Sequence, residues 1–375
     1  MKPVLTLAML CYFALALTTS VRAQQAGTPT PPRFPPPQLA LQVPFEPSAF
    51  PSAGRTHLAY ELYLTNFSPQ PLRLDRIEVL DADGSAGKIV LTLEGKALTE
   101  TLQAIGARPA NVAEVASGAT MVAFLWISLD DGARVPHKLS HRVLVDESPV
   151  EGALIDTHHT KVRELGPPVQ GGEWYASDAP DNEADNHHRR GLVVLDSKPV
   201  ISRRYAIDWQ LVKSGSRHTG NDREIAAYHS YGQPLLAVAS GTIVNARDGL
   251  PDNAPGHGAA FQPAVPITLD TFGGNTITLD IGGGQYAYYF HMKPGSVRVK
   301  MGDRVRRGQV IGQIGCSGDA REPHLHLEIT NSAKSLAGEG LPYIIDHYRM
   351  RMVDADPWQL RTHELPMRNM LVDFD

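Results

Sequence analysis

The sequence predicts a mainly β protein, with a β-sandwich in its N-terminal half and an antiparallel sheet in its C-terminal half. The 375 residues include 33 glycines and 29 prolines but only 20% charged residues, which is typical of turn-rich β domains. In short runs such as residues 58–64, large apolar side chains recur at every second position. The dipeptides Asp83-Gly84 and Asp131-Gly132 mark turns between such runs. The length suggests about two domains.

The N-terminus has the features of a secretory signal peptide. Lys2 precedes an apolar run over residues 4–17, and Val21-Arg22-Ala23 has the form of a cleavage site. A transmembrane anchor is the alternative interpretation, but the run is short for a span. We therefore expect residues 1–23 to be removed on export, leaving a secreted or periplasmic protein. The Pro-rich residues 24–37 are expected to form an extended spacer.

Charge and cysteine content narrow the choice of partners. The formal net charge is −5 and becomes more negative once Lys2 and Arg22 are removed, which argues against nucleic acid as a partner. Cys316 is the one cysteine beyond the signal segment, so no internal disulfide is expected. No later stretch is apolar enough to cross a membrane, so the mature form is predicted to lack a span. The oligomeric state is left open.

Residues 38–165 are predicted to form an immunoglobulin-like β-sandwich, because short strands alternate there with turn signals. The apolar phase slips between Leu74 and Ile77, which predicts a bulge near Arg76. Residues 121–127 are nearly all apolar and are expected to form a buried central strand. The histidines of this region lack ligand-like spacing and are expected at the surface: His57, His137, His141, His158 and His159.

Residues 166–190 are predicted to be a linker, because paired prolines and glycines lead into an acidic polar run. Strand patterns resume in residues 191–375, the second predicted domain. A basic cluster near its hairpins permits two interpretations, a solvated edge that prevents aggregation and a contact for an anionic polymer. The cluster consists of Arg298, Lys300, Arg304, Arg306 and Arg307.

The chemistry of the chain centres on residues 323–329, Pro-His-Leu-His-Leu-Glu-Ile, which alternate polar and apolar side chains. This pattern predicts a strand with one buried face and with His324, His326 and Glu328 on the other. A hydrolytic metal site needs three protein ligands and an open position for water. His326 is a candidate ligand, and His291 follows an aromatic strand close by in sequence. His-Glu-x-x-His is absent, which excludes the helical zinc-protease motif.

A longer series of motifs resembles the lysostaphin/LytM-type zinc metallopeptidases of peptidase family M23, endopeptidases that cut peptidoglycan. The resemblance covers residues 232–329 and implies a LytM-like antiparallel β-sheet metallopeptidase domain. The matching pieces, in chain order, are Gly232-x-Pro234-x-x-Ala237-x-x-x-Gly241-x-Ile243-Val244, Tyr289-x-His291, Gly302-Asp303-x-Val305-x-x-Gly308-Gln309-x-Ile311-Gly312, Gly315-x-Ser317-Gly318 and His324-Leu325-His326.

The resemblance also implies roles for three of the histidines. His326, the second of the pair, corresponds to a Zn²⁺ ligand of the family. His324 and His291 correspond to its two catalytic histidines. The remaining family ligands are a histidine and an aspartate upstream of the Gly-x-Pro segment.

This sequence departs from the usual spacing of those two ligands, and two pairs are candidates. His218 and Asp222 have the expected letters, His-x-Gly-x-Asp, but lie in a polar stretch without strand periodicity. Asp208, in Tyr-Ala-Ile-Asp-Trp, has the better hydrophobic setting, although Arg204 occupies the position expected for the histidine. His188 from the linker would then supply the imidazole. The sequence favours His188 and Asp208, and the rival pair stays open.

The resulting hypothesis is a zinc metalloendopeptidase that hydrolyses peptide bonds in peptidoglycan cross-bridges or stem peptides. Zinc would be held by His188, Asp208 and His326, with His291 and His324 as catalytic groups. The alternative is a non-catalytic LytM-like module that binds cell wall or activates another hydrolase. A structural or carbohydrate-binding role for the sandwich is a third option, weakened by the lack of an aromatic platform.

Overall fold

Antiparallel strands make up most of the regular secondary structure, which confirms the prediction of a mainly β protein. The structure is a computed structural model that describes residues 35–84, 87–105, 112–353 and 357–375. The predicted signal peptide of residues 1–23 lies outside the described residues, as does most of the predicted spacer. Within the described residues, no helix has the length and apolar character needed to cross a membrane.

The described chain contains one short α-helix, two 3₁₀ turns and 25 strands. The helix α1 is Gly95–Thr101, and the 3₁₀ turns are Ile225–Ala227 and Gly258–Ala260. The strands are β1 Leu39–Gln42, β2 Phe50–Ser52, β3 Arg55–Asn66, β4 Leu72–Asp81, β5 Ile89–Glu94, β6 Leu102–Ala104, β7 Glu114–Val115, β8 Thr120–Leu129, β9 Lys138–Val145, β10 Ser148–Asp156, β11 Arg163–Leu165, β12 Glu173–Ser177, β13 Val193–Leu195, β14 Lys198–Val200, β15 Ile207–Val212, β16 Pro234–Leu236, β17 Gly241–Arg247, β18 Asn275–Asp280, β19 Tyr286–Met292, β20 Arg304–Val305, β21 Val310–Gln313, β22 Leu325–Thr330, β23 Tyr343–Met352, β24 Gln359–Glu364 and β25 Met370–Asp373.

The N-terminal strands form two antiparallel sheets around one apolar core. One sheet has the order β1-β3-β8-β6, with β2 also on β3, and the other has the order β10-β9-β4-β5, with β7 on β4. Apolar side chains of β3, β4, β8 and β9 meet between them. The predicted bulge is present as a register shift of β4 against β9 between Leu74 and Arg76. The sandwich is thus observed, and its immunoglobulin-like type stays a prediction.

Two sandwich histidines that were expected at the surface are buried. His57 is 4% exposed and bonds to Ser128 Oγ and the Ser52 carbonyl. His141 is fully buried, and its Nε2 lies 2.9 Å from the hydroxyl of Tyr60. Each ring has partners on both of its nitrogens. Local sequence does not show such partners, because they come from other strands.

A sheet of eleven strands dominates the C-terminal half. Its order is β11-β23-β25-β12-β15-β22-β19-β18-β17-β20, with β24 on β23. The strand that carries the histidine pair, β22, lies in the middle of this sheet between β15 and β19. All six of its residues are buried, so the prediction of a strand with only one buried face was wrong. Cover on both faces is what places His326 and Glu328 away from bulk water.

The segment of residues 166–190 is not a free linker, because it contributes β12 to the large sheet. This strand lies between β15 and β25, and Trp174 and Ala176 are buried. The partner strands are distant in sequence, which explains why the Gly- and Pro-rich surroundings indicated a linker. Residues 37–375 form one compact unit in which sandwich and sheet share contacts. The domain boundaries proposed from the sequence stay a prediction.

Candidate metal centre and active site

Asp208 and His326 face each other across neighbouring strands of the large sheet. They are register partners in the antiparallel pair of β15 and β22, whose side chains lie close on one face. His326 Nδ1 is 2.8 Å from Asp208 Oδ1. Both residues are at most 8% exposed. The buried setting of Asp208 follows from its strand, in which all six residues are buried.

His188 reaches the same carboxylate from the turn that follows β12. Asn186 shapes this turn, because its Oδ1 accepts the backbone N–H groups of His188 at 3.0 Å and Arg189 at 2.9 Å. His188 Nδ1 is 2.8 Å from the carbonyl of Asp178, so it donates there and leaves Nε2 as an acceptor. Nε2 lies 3.6 Å from Asp208 Oδ2. The ring of His188 meets that of His326 edge-on, with centroids 4.8 Å apart.

These three side chains form a donor set that suits a zinc ion. Two imidazoles and one carboxylate are ligands zinc prefers, and two ligands of a tetrahedral zinc lie roughly 3.4 Å apart. The His188–Asp208 distance of 3.6 Å is close to that spacing. A ligand histidine also needs a hydrogen-bond partner for its second ring nitrogen. For His188 this partner is the backbone carbonyl of Asp178. Ligand atoms of His187, His188 and Asp208 lie within 4.8 Å of one another, so His187 is a further neighbour of the centre.

His291 and His324 lie beside this centre, and each ring is fixed by a backbone carbonyl. His291 Nδ1 is 2.8 Å from the oxygen of Ser317, and His324 Nδ1 is 2.8 Å from that of Glu322. The ring centroids are 4.8 Å apart. His324 Nε2 is 3.6 Å from Asp208 Oδ2. His291 has a φ of 63°, a left-handed backbone that is unusual for a residue other than glycine and is often found at functional sites.

Glu328 is a member of the site to which the sequence assigned no role. It is fully buried, and its Oε2 lies 3.3 Å from Nε2 of His326. Its Oε1 has no hydrogen-bond partner among the described residues. His326 is thus held between two carboxylates, while Phe290 stacks on its ring at a centroid distance of 5.2 Å. The sequence signal was the two-residue spacing of His326 and Glu328, which places both side chains on the same face of one strand.

The protonation preferences of the site fit metal binding. Burial would raise the pKa of Asp208, but the imidazoles of His188, His324 and His326 hold it well below its ordinary value. Burial lowers the pKa of His188 and His291 well below the ordinary range. Anionic aspartate and neutral imidazole are the metal-binding forms of these groups.

His326 behaves differently because it lies between two carboxylates. Burial would lower its pKa, yet Asp208 and Glu328 raise it to about 9. At neutral pH, and with no cation bound, both ring nitrogens of His326 therefore carry a proton and the ring is positively charged. A metal ion at Nδ1 would displace the proton on that nitrogen, because metal binding to histidine releases protons. The surroundings of His326 are thus built to hold positive charge.

All five residues predicted for the site open onto one cleft of about 520 Å³. The cleft is also lined by Arg203, Phe272 and Glu322, among others. The rival pair, His218 and Asp222, lines a neighbouring cleft of about 350 Å³ with Tyr228. His218 packs against the ring of Tyr228, with centroids 5.3 Å apart, and not against His326. The geometry therefore joins His188 and Asp208, rather than His218 and Asp222, to the histidine pair.

Comparison with known proteins identifies the family of the region that carries His291, His324 and His326. Residues 216–337 match the model of peptidase family M23, and the chain thus carries an M23 peptidase domain. This range includes His291, His324 and His326, together with His218 and Asp222. It begins after His188 and Asp208, whose place in the site rests on the geometry described above.

The domain is homologous to two staphylococcal enzymes. It is 30% identical over 128 residues to the glycyl-glycine endopeptidase ALE-1 of Staphylococcus capitis, covering 33% of this chain and 29% of that protein. It is 29% identical over 134 residues to lysostaphin of Staphylococcus simulans, covering 35% of this chain and 22% of that protein. The match thus spans less than a third of either relative.

Two solved structures also align with parts of this chain. The catalytic domain of lysostaphin from Staphylococcus simulans aligns with 45% of this chain and 88% of its own, at 22% identity and a TM-score of 0.24. The M23 metalloprotease pseudoalterin aligns with 51% of this chain and 82% of its own, at 16% identity and a TM-score of 0.29.

Proposed function

We propose that this protein is an exported zinc metalloendopeptidase that hydrolyses peptide bonds in peptidoglycan cross-bridges or stem peptides. One observation carries the proposal: five side chains from four separate segments meet in one cleft, with the donor set of a hydrolytic metal site. The M23 homology supports a peptidase, and the similarity to ALE-1, a glycyl-glycine endopeptidase, supports a short peptide bridge as substrate.

His188 Nε2, Asp208 and His326 Nδ1 would hold the zinc ion in this proposal. When bound there, zinc supplies a Lewis acid and lowers the pKa of a coordinated water toward neutrality. Asp208 contributes the negative charge of the ligand set, and its low pKa keeps it ionised over the working range of pH. Glu328 fixes the orientation of the His326 ring through Nε2.

His291 and His324 would act on the peptide substrate. Their Nδ1 atoms donate to backbone carbonyls, which orients each ring and directs Nε2 away from those carbonyls toward the site. In this position they can accept the proton of the attacking water and deliver it to the leaving amine. A protonated ring would also donate to the carbonyl oxygen as negative charge develops on it. Burial favours the neutral form of His291, which suits the role of a proton acceptor.

The alternative, a non-catalytic module, is not favoured. A binding module has no need to keep two metal-ligand imidazoles, a buried aspartate and two further imidazoles in one cleft. The net negative charge supports a partner other than nucleic acid. Export to the periplasm or the exterior, proposed from residues 1–23, would place the enzyme where peptidoglycan is found.

Digestion of purified sacculi tests the proposal. Wild-type protein should release soluble peptides with new amino termini, and His326→Ala should release none above background. His347→Ala is the matched control, because this exposed histidine lies on β23 away from the cleft. Equal release by wild type and His326→Ala would contradict the proposal.

A further inference from the structure

The sandwich contributes a buried carboxylate that reaches the segments carrying two of the proposed ligands. Glu61 lies on β3, one of the long strands of the sandwich, and is only 4% exposed. Two arginines from the C-terminal half, Arg189 and Arg204, bind its two oxygens. Arg189 follows His188 directly, and Arg204 lies four residues before Asp208. One carboxylate of the sandwich is therefore linked to both ligand segments.

Arg189 is fully buried against the sandwich. Its Nη1 binds Glu61 Oε1, while Nη2 donates to the carbonyls of Tyr60 at 2.9 Å and Leu125 at 3.2 Å. Its guanidinium also lies over the ring of Phe124 at 4.9 Å. These contacts fix the residue that follows His188 to two neighbouring sandwich strands, β3 and β8.

The next residue, Arg190, adds further contacts to the same surface. It donates to the carbonyl of Thr101 at 3.1 Å and lies over the Phe124 ring at 4.2 Å. The turn that presents His188 is therefore held by two consecutive arginines. Because Arg189 and Arg190 are held in this way, the backbone position from which the imidazole of His188 extends is fixed.

Arg204 connects the same carboxylate to the strand of Asp208. Its Nε and Nη2 lie 3.0 Å and 2.6 Å from the two oxygens of Glu61. Nη2 also lies 2.7 Å from Glu339 Oε2. The next residue, Tyr205, donates its hydroxyl to the carbonyl of Ala59 on β3 at 3.0 Å. The approach to β15 is thus anchored on the strand that carries Glu61.

The charges of this cluster balance, with two arginines against Glu61 and Glu339. Burial would raise the pKa of Glu61, but Arg204 and Arg189 lower it to about 2, so the carboxylate is ionised at neutral pH. Apolar residues of similar volume often stabilise a fold as well as a buried ion pair does, so the cluster is weak evidence for a purely stabilising role. A fork-shaped guanidinium does fix the orientation of the segments it joins, because its N–H donors bind a carboxylate only in certain geometries.

We infer that Glu61 is a positioning residue of the metal centre, holding the His188 turn and the Asp208 strand at the separation that one cation requires. The inference rests on the proposed function, because that function assigns both residues to the cation. It gives the sandwich a role inside the site: the sandwich completes the ligand geometry through Arg189 and Arg204.

The test measures zinc affinity of the full-length chain by competition with a chelator. Glu61→Gln should bind zinc about 10- to 100-fold more weakly than wild type, the range for loss of a group that orients metal ligands. The visible spectrum of the cobalt-substituted protein should also change, because it reports ligand geometry. Circular dichroism and unfolding midpoints verify that each variant is folded where affinity is measured.

Glu78→Gln is the matched control. Glu78 is also a buried sandwich glutamate, 5% exposed, but its partners Arg76 and Arg142 both lie within the sandwich. This control should lose stability and keep wild-type zinc affinity. A milder variant, Arg189→Lys, keeps a positive charge beside Glu61 but lacks the fork-shaped guanidinium. It should also weaken zinc binding. It decides the question if Glu61→Gln does not fold.

The outcomes separate this inference from the proposed function. Zinc binding that is lost in His326→Ala but unchanged in folded Glu61→Gln and Arg189→Lys would overturn the positioning role alone. Zinc binding that is unchanged in His326→Ala would instead overturn the proposed metal centre. Equal weakening in Glu61→Gln and Glu78→Gln would assign the effect to general destabilisation and also overturn the inference.

Discussion

At the scale of single residues, the proposed metal centre depends on the two carboxylates beside His326. Asp208 lies at Nδ1 and Glu328 at Nε2, so the ring keeps a proton at neutral pH when no cation is present. The motif His-x-His marked His326 as a candidate ligand, but the role proposed for Glu328 depends on the burial of both faces of β22. Sequence alternation could place Glu328 on the correct face, whereas burial became visible only with the neighbouring strands in place.

Glu328→Gln should weaken zinc binding about 10- to 100-fold, because the ligand ring loses its anionic partner. Titration of the full-length protein with zinc in the presence of a chelator measures the change. Thr330→Val is the control, since Thr330 lies on the same strand and its hydroxyl bonds to Ser332 rather than to the site. Wild-type affinity in Glu328→Gln would show that the carboxylate does not support the ligand.

The pair of candidate ligands shows where residue-level prediction reached its limit. Two histidine–aspartate pairs were candidates: His218 and Asp222 had the expected letters, and Asp208 had the better hydrophobic setting. The structure places Asp208 in register with His326. The place of His188 could not follow from spacing alone. Its position depends on a turn shaped by Asn186 and held by arginines on a distant sandwich.

At the scale of elements, strands with a regular apolar period were predictable and short paired strands were not. The central strand of residues 121–127 and the bulge near Arg76 follow directly from local pattern. The strand β12 was missed because its five residues are stabilised by β15 and β25, which lie far away in sequence. Non-local pairing of this kind leaves little local trace.

The buried histidine of β9, His141, is expected to make the sandwich sensitive to acid. Burial lowers the pKa of His141 to about 4, while its Nδ1 donates to the Ala153 carbonyl at 2.9 Å. The unfolded chain, with a pKa near 6.5, therefore binds more protons between pH 6.5 and 4. The contribution of neutral His141 to the unfolding free energy should be complete above pH 6.5. It should fall by up to about 3 kcal/mol as the pH decreases toward 4.

Denaturant unfolding of wild type and His141→Gln at several pH values measures this effect. Glutamine can still accept from the Tyr60 hydroxyl but does not titrate. The unfolding free energy of wild type should fall relative to that of the variant as pH decreases from 7 to 4.5. A difference that stays constant over this range would show that His141 does not take up the proton on unfolding.

At the scale of the whole molecule, sandwich and sheet form one compact unit, and the site depends on both. Length and strand patterns predicted two β regions, and the structure shows a sandwich of two sheets and an eleven-stranded sheet, while the domain boundaries stay a prediction. Their connection was not predictable, because it depends on the ion pairs of Glu61 with Arg189 and Arg204, which no local sequence pattern reveals. Such buried ionic contacts become apparent only when segments more than a hundred residues apart are brought together.

Zinc should stabilise the whole chain, because its proposed ligands come from three separate segments. At a free zinc concentration 100 times the Kd, the unfolding free energy should rise by about 2.7 kcal/mol. Thermal or denaturant unfolding of full-length protein with and without zinc measures this change. His326→Ala should show a much smaller shift, and an equal shift in both proteins would indicate that zinc binds elsewhere.

The most direct test of the metal centre is the zinc content and affinity of His188→Ala beside His218→Ala. The geometry described here predicts about one tightly bound zinc per chain in wild type and in His218→Ala, and loss of tight binding in His188→Ala. Tight zinc binding that persists in His188→Ala and is lost in His218→Ala would contradict the account.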